Sequence, residues 1–104
     1  MTAELRKALD IIIKVADPDK VILFGSRARG DETPDSDYDI LVLKKNVPNT
    51  RKLAKKIYFN FITVGVPIDI LVYDTNKYDE IKDYPFKIYY TINLEGKTIY
   101  EKAG

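Results

Sequence analysis

Asp37 and Asp39 sit in one short apolar segment with a single residue, Tyr38, between them. Residues i and i+2 of a strand project from the same face, so a strand here sets two carboxylates side by side. Anions held that close repel each other unless a cation lies between them. The chain contains no His and no Cys. Any metal ligands are therefore oxygens, which suits magnesium or manganese. A third carboxylate, Asp69, lies within the apolar run Pro67 to Tyr73, flanked by Ile68 and Ile70. Burying a charge there without a partner is costly. Three carboxylates around two metal ions suit in-line attack at phosphorus, one ion activating the nucleophile and the other stabilising the leaving phosphate.

Upstream, the apolar stretch Val21 to Phe24 ends in Gly25-Ser26. Gly25 allows close approach of the backbone to a ligand. Ser26 starts a short helical turn whose free amides suit an anion, and its hydroxyl adds a hydrogen bond. Such a turn would hold the outer phosphates of a nucleoside triphosphate. Arg27 and Arg29 bring positive charge beside it and would brace phosphates or a protein partner. Each piece alone has an ordinary reading. Gly-Ser is a common turn, Asp37 and Asp39 a strand-edge pair, Asp69 a salt-bridged strand residue, and the arginines surface charges. Their order at successive strand ends joins them into one site.

These residues need positioning by a small number of elements. The spacing predicts a helix over Ala3 to Ala16, capped by Thr2, with Leu5, Leu9, Ile12, Ile13 and Ala16 on its apolar face. Asp17-Pro18-Asp19 stops it. Val21 to Phe24 reads as a strand, and Tyr38 to Lys44 as a second. Alternation puts Asp37, Asp39, Leu41 and Leu43 on one face of the latter and Tyr38, Ile40 and Val42 on the other. A helix is expected over Thr50 to Val64, with Leu53, Ile57, Phe61 and Val64 buried and Gly65 as its end. Lys52, Lys55 and Lys56 fall on its solvated side, ordinarily no more than a wet face. Pro67 to Tyr73 is a third strand. Asp74 or Thr75 caps a helical stretch to about Asp83, Pro85 interrupts it, and Phe86 to Leu94 continues with Ile88 and Ile92 inward. Gly96 signals a C-cap, and Lys97 to Glu101 an edge strand. The expected class is α/β (α+β): a small mixed sheet of about four strands with helices packed on one face, forming a single domain over residues 1–104.

The composition narrows the partners. Lys and Arg number 17 against 16 Asp and Glu, for a net charge of +1. That balance gives no reason to expect direct nucleic-acid or membrane binding. No signal pattern opens the chain, and no apolar run approaches the ~20 residues of a membrane span. A cytoplasmic protein is expected. Eight tyrosines are present; Tyr78, Tyr84, Tyr89, Tyr90 and Tyr100 gather in the last third, either packing at the rim of the core or forming a partner or homo-oligomer surface.

The pattern of an apolar strand, Gly25-Ser26, ten residues from Arg27 to Ser36, Asp37-Tyr38-Asp39 and a later Asp69 resembles the polymerase-beta nucleotidyltransferase superfamily. Within it, the run Gly25 to Gly30 resembles the minimal nucleotidyltransferases (MNT), as does Ile92 to Glu101. The resemblance covers nearly the whole chain. It implies a mixed sheet with helices on one side and magnesium-dependent transfer of a nucleotide, usually AMP from ATP. By the same resemblance Asp37 and Asp39 would bind metal, Asp69 would bind the catalytic metal and help activate the acceptor hydroxyl, and Gly25 and Ser26 would hold the triphosphate. Larger members carry acceptor-binding domains, and none is seen here, so the acceptor is expected to come with another chain. Minimal members are similar to antitoxins paired with a HEPN-domain partner, in which a tyrosine of the HEPN ribonuclease is adenylylated and the toxin silenced. That is the expected function. Two others stay open: a non-catalytic, nucleotide-binding antitoxin that neutralises by stoichiometric contact, and a small-molecule nucleotidyltransferase of the antibiotic type.

Overall fold

A computed structural model describes residues 1–61 and 64–103. Helix α1 (Ala3–Ala16) starts at Thr2, whose Oγ1 accepts a hydrogen bond from the Leu5 amide at 3.1 Å. This satisfies one of the amides that a helix leaves unpaired at its start. Asp17, in the left-handed region at φ 46°, ends it. Strand β1 (Lys20–Phe24) leads into a single helical turn, α2 (Ser26–Arg29), and then strand β2 (Tyr38–Lys44). Helix α3 (Thr50–Phe59) follows, capped by the Asn49 side chain on the Lys52 amide at 3.0 Å. Strand β3 (Ile68–Asp74), helices α4 (Thr75–Ile81) and α5 (Ile88–Glu95), and strand β4 (Lys97–Glu101) complete the chain.

The four strands lie in the order β3-β2-β1-β4. β1 is antiparallel to both neighbours, whereas β2 and β3 are parallel. The parallel pair requires a crossover, and α3 supplies it. The sheet is therefore mixed, as expected. Period-two alternation divides the strand side chains between two apolar clusters. Tyr38, Ile40 and Val42 of β2 join Leu5, Leu9 and Ile12 of α1 and Ile57 of α3. Leu41 and Leu43 join Ile22, Tyr78 of α4 and Ile92 of α5. The two longer helices thus cover one face, and the short helices α4 and α5 add cover to the other, beyond the single covered face expected. A strand with apolar side chains on both faces, as β2 has, needs cover on both.

Three local differences have simple causes. Helix α3 stops at Phe59 rather than near Val64, because the Asn60 amide turns back to the carbonyls of Ile57 and Tyr58. Phe61 and Val64 still pack on the α1 cluster, and the Val64 amide donates to the Phe61 carbonyl at 2.9 Å. The helical spacing of apolar residues continued because the following turn folds onto the same core. Residues 62–63 of the expected helix lie outside the described residues. Ile88, expected inward, is 56% exposed; it stands at the first position of α5, whose anchor is Ile92. Gly96 is the C-cap of α5 as expected, its amide donating to the Ile92 carbonyl at 2.7 Å, but with φ −70°, an ordinary backbone value in place of the left-handed one common at such caps. What requires glycine there is space, since a Cβ would lie 2.6 Å from the Ile22 Cγ2 methyl. Among the described residues, no helix is long and apolar enough to cross a membrane.

Candidate active site

Asp39 of β2 and Asp69 of β3 are register partners on neighbouring parallel strands. In-register residues of a parallel pair share a face, here the one that carries Leu41 and Leu71. Asp37 precedes β2 by one residue. Asp39 is half-buried, whereas Asp37 and Asp69 are exposed. The Asp39 carboxyl is held above the usual carboxylate value, first by burial and then by the charges of Asp69 and Asp37, with Arg29 acting in the opposite sense. Among the described residues, none of the three carboxylates pairs with a cationic side chain. The anions are assembled with their repulsion left standing.

The Gly25 turn lies against this cluster. Gly25 adopts φ 74° and ψ −159°, a conformation open almost only to glycine. A Cβ at this position would overlap the Asp39 carboxylate and stand 3.1 Å from its Cγ. The backbone between β1 and α2 therefore touches Asp39 as closely as atoms allow. The Gly25 carbonyl accepts from the amides of Ala28 and Arg29 at 3.0 and 3.1 Å. The Ser26 and Arg27 amides, at the start of α2, have no acceptor within that helix.

The two arginines have separate surroundings. Arg27 is half-buried. Its Nε donates to the Ser36 carbonyl at 3.0 Å, and its guanidinium carbon lies 4.0 Å from the centre of the Tyr38 ring. It thus grips the residues on either side of Asp37. The Tyr38 hydroxyl in turn shares a hydrogen bond of 2.7 Å with Thr2 Oγ1. Arg29 is exposed, in ion pairs with Asp31 at 3.4 Å and Glu95 at 3.5 Å. Tyr38 and Glu95 were not marked in the sequence as parts of the site. Tyr38 lay on the apolar alternation and Glu95 is distant in sequence, so neither had a local signal.

The donor set fits a hard divalent cation. All candidate ligands are carboxylate oxygens, two of them in register. Among the described residues, no three acidic side chains form a ready-made metal cage. Magnesium does not need one, since it is held by one or two carboxylates with water and substrate phosphates completing its shell.

The chain as a whole is similar to known proteins. A family model described as the nucleotidyltransferase domain matches residues 4–93. The provisionally named protein adenylyltransferase MJ0141 of Methanocaldococcus jannaschii is 36% identical over 93 residues, spanning 82% of this chain and 92% of that protein. Protein adenylyltransferase MntA of Aphanizomenon flos-aquae is 29% identical over 105 residues, spanning 98% of this chain and 70% of that protein. A crystal structure of a toxin-antitoxin with AMP-PNP superposes with a TM-score of 0.63 at 19% identity, covering 97% of this chain and 75% of that one. At that identity the likeness is one of fold. With the family model matched from the first turn of α1 into α5, across the Gly25 turn and all three aspartates, the chain belongs to the nucleotidyltransferase domain family and is a nucleotidyltransferase.

Proposed function

We propose that this chain transfers AMP from ATP to a hydroxyl of a partner protein, namely a tyrosine of a HEPN-domain toxin, and so acts in the cytoplasm as an antitoxin. The observation that carries the reading is the Asp39–Asp69 register pair, with Gly25 set directly against Asp39. Relatives named as protein adenylyltransferases support the choice of AMP and of a protein acceptor.

In this reading the Gly25-Ser26 turn receives the outer phosphates, and Arg27 and Arg29 add positive charge beside them. Asp37, Asp39 and Asp69 would hold two magnesium ions, which when bound neutralise the phosphates and lower the pKa of the attacking hydroxyl. The acceptor oxygen bonds to the α-phosphorus as the bond to the pyrophosphate oxygen breaks. Asp69, exposed beside Asp39, would help to activate the acceptor hydroxyl by taking its proton. Arg27 keeps Asp37 in place by holding Ser36 and Tyr38. The products are an adenylylated tyrosine and pyrophosphate.

The test incubates the chain with labelled ATP, magnesium and a co-encoded HEPN protein. Label is expected on a tyrosine of the partner, and replacing both Asp37→Asn and Asp39→Asn is expected to abolish it. Neutralisation that persists in the double variant, with no label transferred at any stage, would instead mark a binding antitoxin.

A further inference from the structure

A groove of about 730 Å³ runs along α3 and the β2–α3 connection. Its floor is apolar, built from Val47, Pro48, Leu53 and Phe59. Phe59 is 78% exposed, a large apolar side chain left in water at the end of the helix. Lys52, Lys55 and Lys56 form the rim. Their spacing along the helix, with Phe59 following at i+3 from Lys56, keeps them beside the same groove.

The charge is distributed unevenly along the chain. From residue 40 to residue 68 there is no Asp or Glu, yet this stretch carries Lys44, Lys45, Arg51, Lys52, Lys55 and Lys56. All 16 acidic residues lie outside it, so the overall balance of +1 conceals a basic stretch in an otherwise acidic chain. Lys44 is engaged, its Nζ donating to the carbonyls of Ala16 and Asp17 at 2.7 and 3.0 Å. Among the described residues, Lys52, Lys55 and Lys56 pair with no carboxylate. A lysine row alone is a wet face. A lysine row around an apolar floor that ends in an exposed phenylalanine presents charge and apolar area together.

We infer that this groove docks an acidic amphipathic helical segment of another protein, its apolar stripe on Phe59 and Leu53 and its carboxylates on the lysine rim. Charge complementarity selects the occupant. A second copy pairing groove to groove would set lysines against lysines. A copy presenting an acidic face instead would make a head-to-tail contact that does not close. Nucleic acid would satisfy the lysines and leave the apolar floor uncovered. The groove also stands apart from the chemistry. It opens beside Lys44 at the far end of β2, roughly 17 Å along the strand from Asp39 at ~3.3 Å per residue, and α3 packs on the opposite face of the sheet from Asp39 and Asp69. Docking there leaves the carboxylates open, and holds whether or not the docked protein is the one modified.

The test measures fluorescence anisotropy of a labelled synthetic peptide of about 18 residues, with leucines at helical i, i+4 and i+7 spacing and glutamates on the flanks. Controls are a scramble of the same composition, a version with Gln for Glu, and a single-stranded oligouridine. The designed peptide is expected to bind, and to bind more weakly as salt rises. Its affinity should fall roughly tenfold or more with Lys52→Glu plus Lys55→Glu, and likewise with Phe59→Ser. All three positions are exposed, so the fold is not at stake. A chain carrying Asp37→Asn and Asp39→Asn should bind the peptide unchanged, which separates this test from that of nucleotide transfer. The inference is overturned if the scramble binds as well as the design, if the α3 variants leave the affinity unchanged, or if oligouridine binds more tightly. It is overturned equally if the same variants dissolve a self-associated form of the chain in sedimentation.

Discussion

Asp39 and Asp69 face each other across the parallel β2–β3 ladder with no cationic side chain of the described residues between them. The Asp39 carboxyl is consequently raised above its ordinary value of 3.8, chiefly by burial and then by Asp69 and Asp37. A raised folded-state value means that the folded chain keeps this proton to higher pH than the unfolded chain does. The associated stability is fully present below 3.8 and is lost as pH rises through the folded value. At neutral pH, without metal, the ionised Asp39 is thus a liability to the fold.

Asp39→Asn is therefore expected to stabilise the metal-free protein at neutral pH while removing transfer. Much of the side chain remains in contact with solvent, so screening limits the gain to roughly 0.5 kcal/mol, ~2–4 °C in a domain of this size. Thermal melts in chelator from about pH 3 to about pH 8 check the sign. The two proteins should converge at the acidic end and separate as pH rises. A variant no more stable than the parent at neutral pH, or a gap indifferent to pH, contradicts the assignment.

Gly25 and Asp39 are coupled through contact. Gly25→Ala introduces a Cβ into the space of the Asp39 carboxylate and holds alanine at φ 74°. The expected cost is about 1–3 kcal/mol, with transfer lost because Asp39 is displaced. Part of that cost is collision and part is backbone strain. Adding Asp39→Ala removes the collision only, so the double variant should be more stable than the sum of the single effects by about 0.5 kcal/mol or more. Strict additivity in urea melts refutes the contact.

These relationships were legible in the sequence to different depths. The bounds of α1, β2 and β4 follow from caps, alternation and glycine, all local signals. The i, i+2 rule puts Asp37 and Asp39 on one face, but no local rule makes Asp69 the register partner of Asp39. That alignment comes from the length of the crossover through α3. Arg27 was read as a phosphate or partner contact from its place after Gly25-Ser26. Its hold on Ser36 and Tyr38 depends on how the loop from residue 30 to residue 37 returns, which spacing does not encode. The groove along α3 was legible only as a lysine row. The exposure of Phe59 arises because the helix ends there and the chain turns at Asn60. The second covering layer was missed in part because α4 and α5 are short, and each anchors through few residues such as Tyr78 and Ile92.

The same uncompensated carboxylates are expected to make nucleotide and metal binding interdependent. In the proposed reading, two in-register aspartates would offer magnesium part of a coordination shell, and phosphates held at the Gly25 turn would supply the rest. Magnesium alone or ATP alone is thus expected to raise the melting temperature little, since each leaves charges of one sign unanswered. Together they should raise it by more than the sum. Ligand at a hundredfold excess over its Kd stabilises by about 2.7 kcal/mol, a shift on the order of 10 °C in a domain of this size. Differential scanning fluorimetry with magnesium, ATP, both and neither measures the coupling. Asp37→Asn plus Asp39→Asn should remove the excess over additivity, and ATP alone should then shift the variant at least as much as the parent, because the anionic repulsion of the triphosphate is gone. If magnesium and ATP act additively on the parent chain, the carboxylates and the Gly25 turn do not share a ligand.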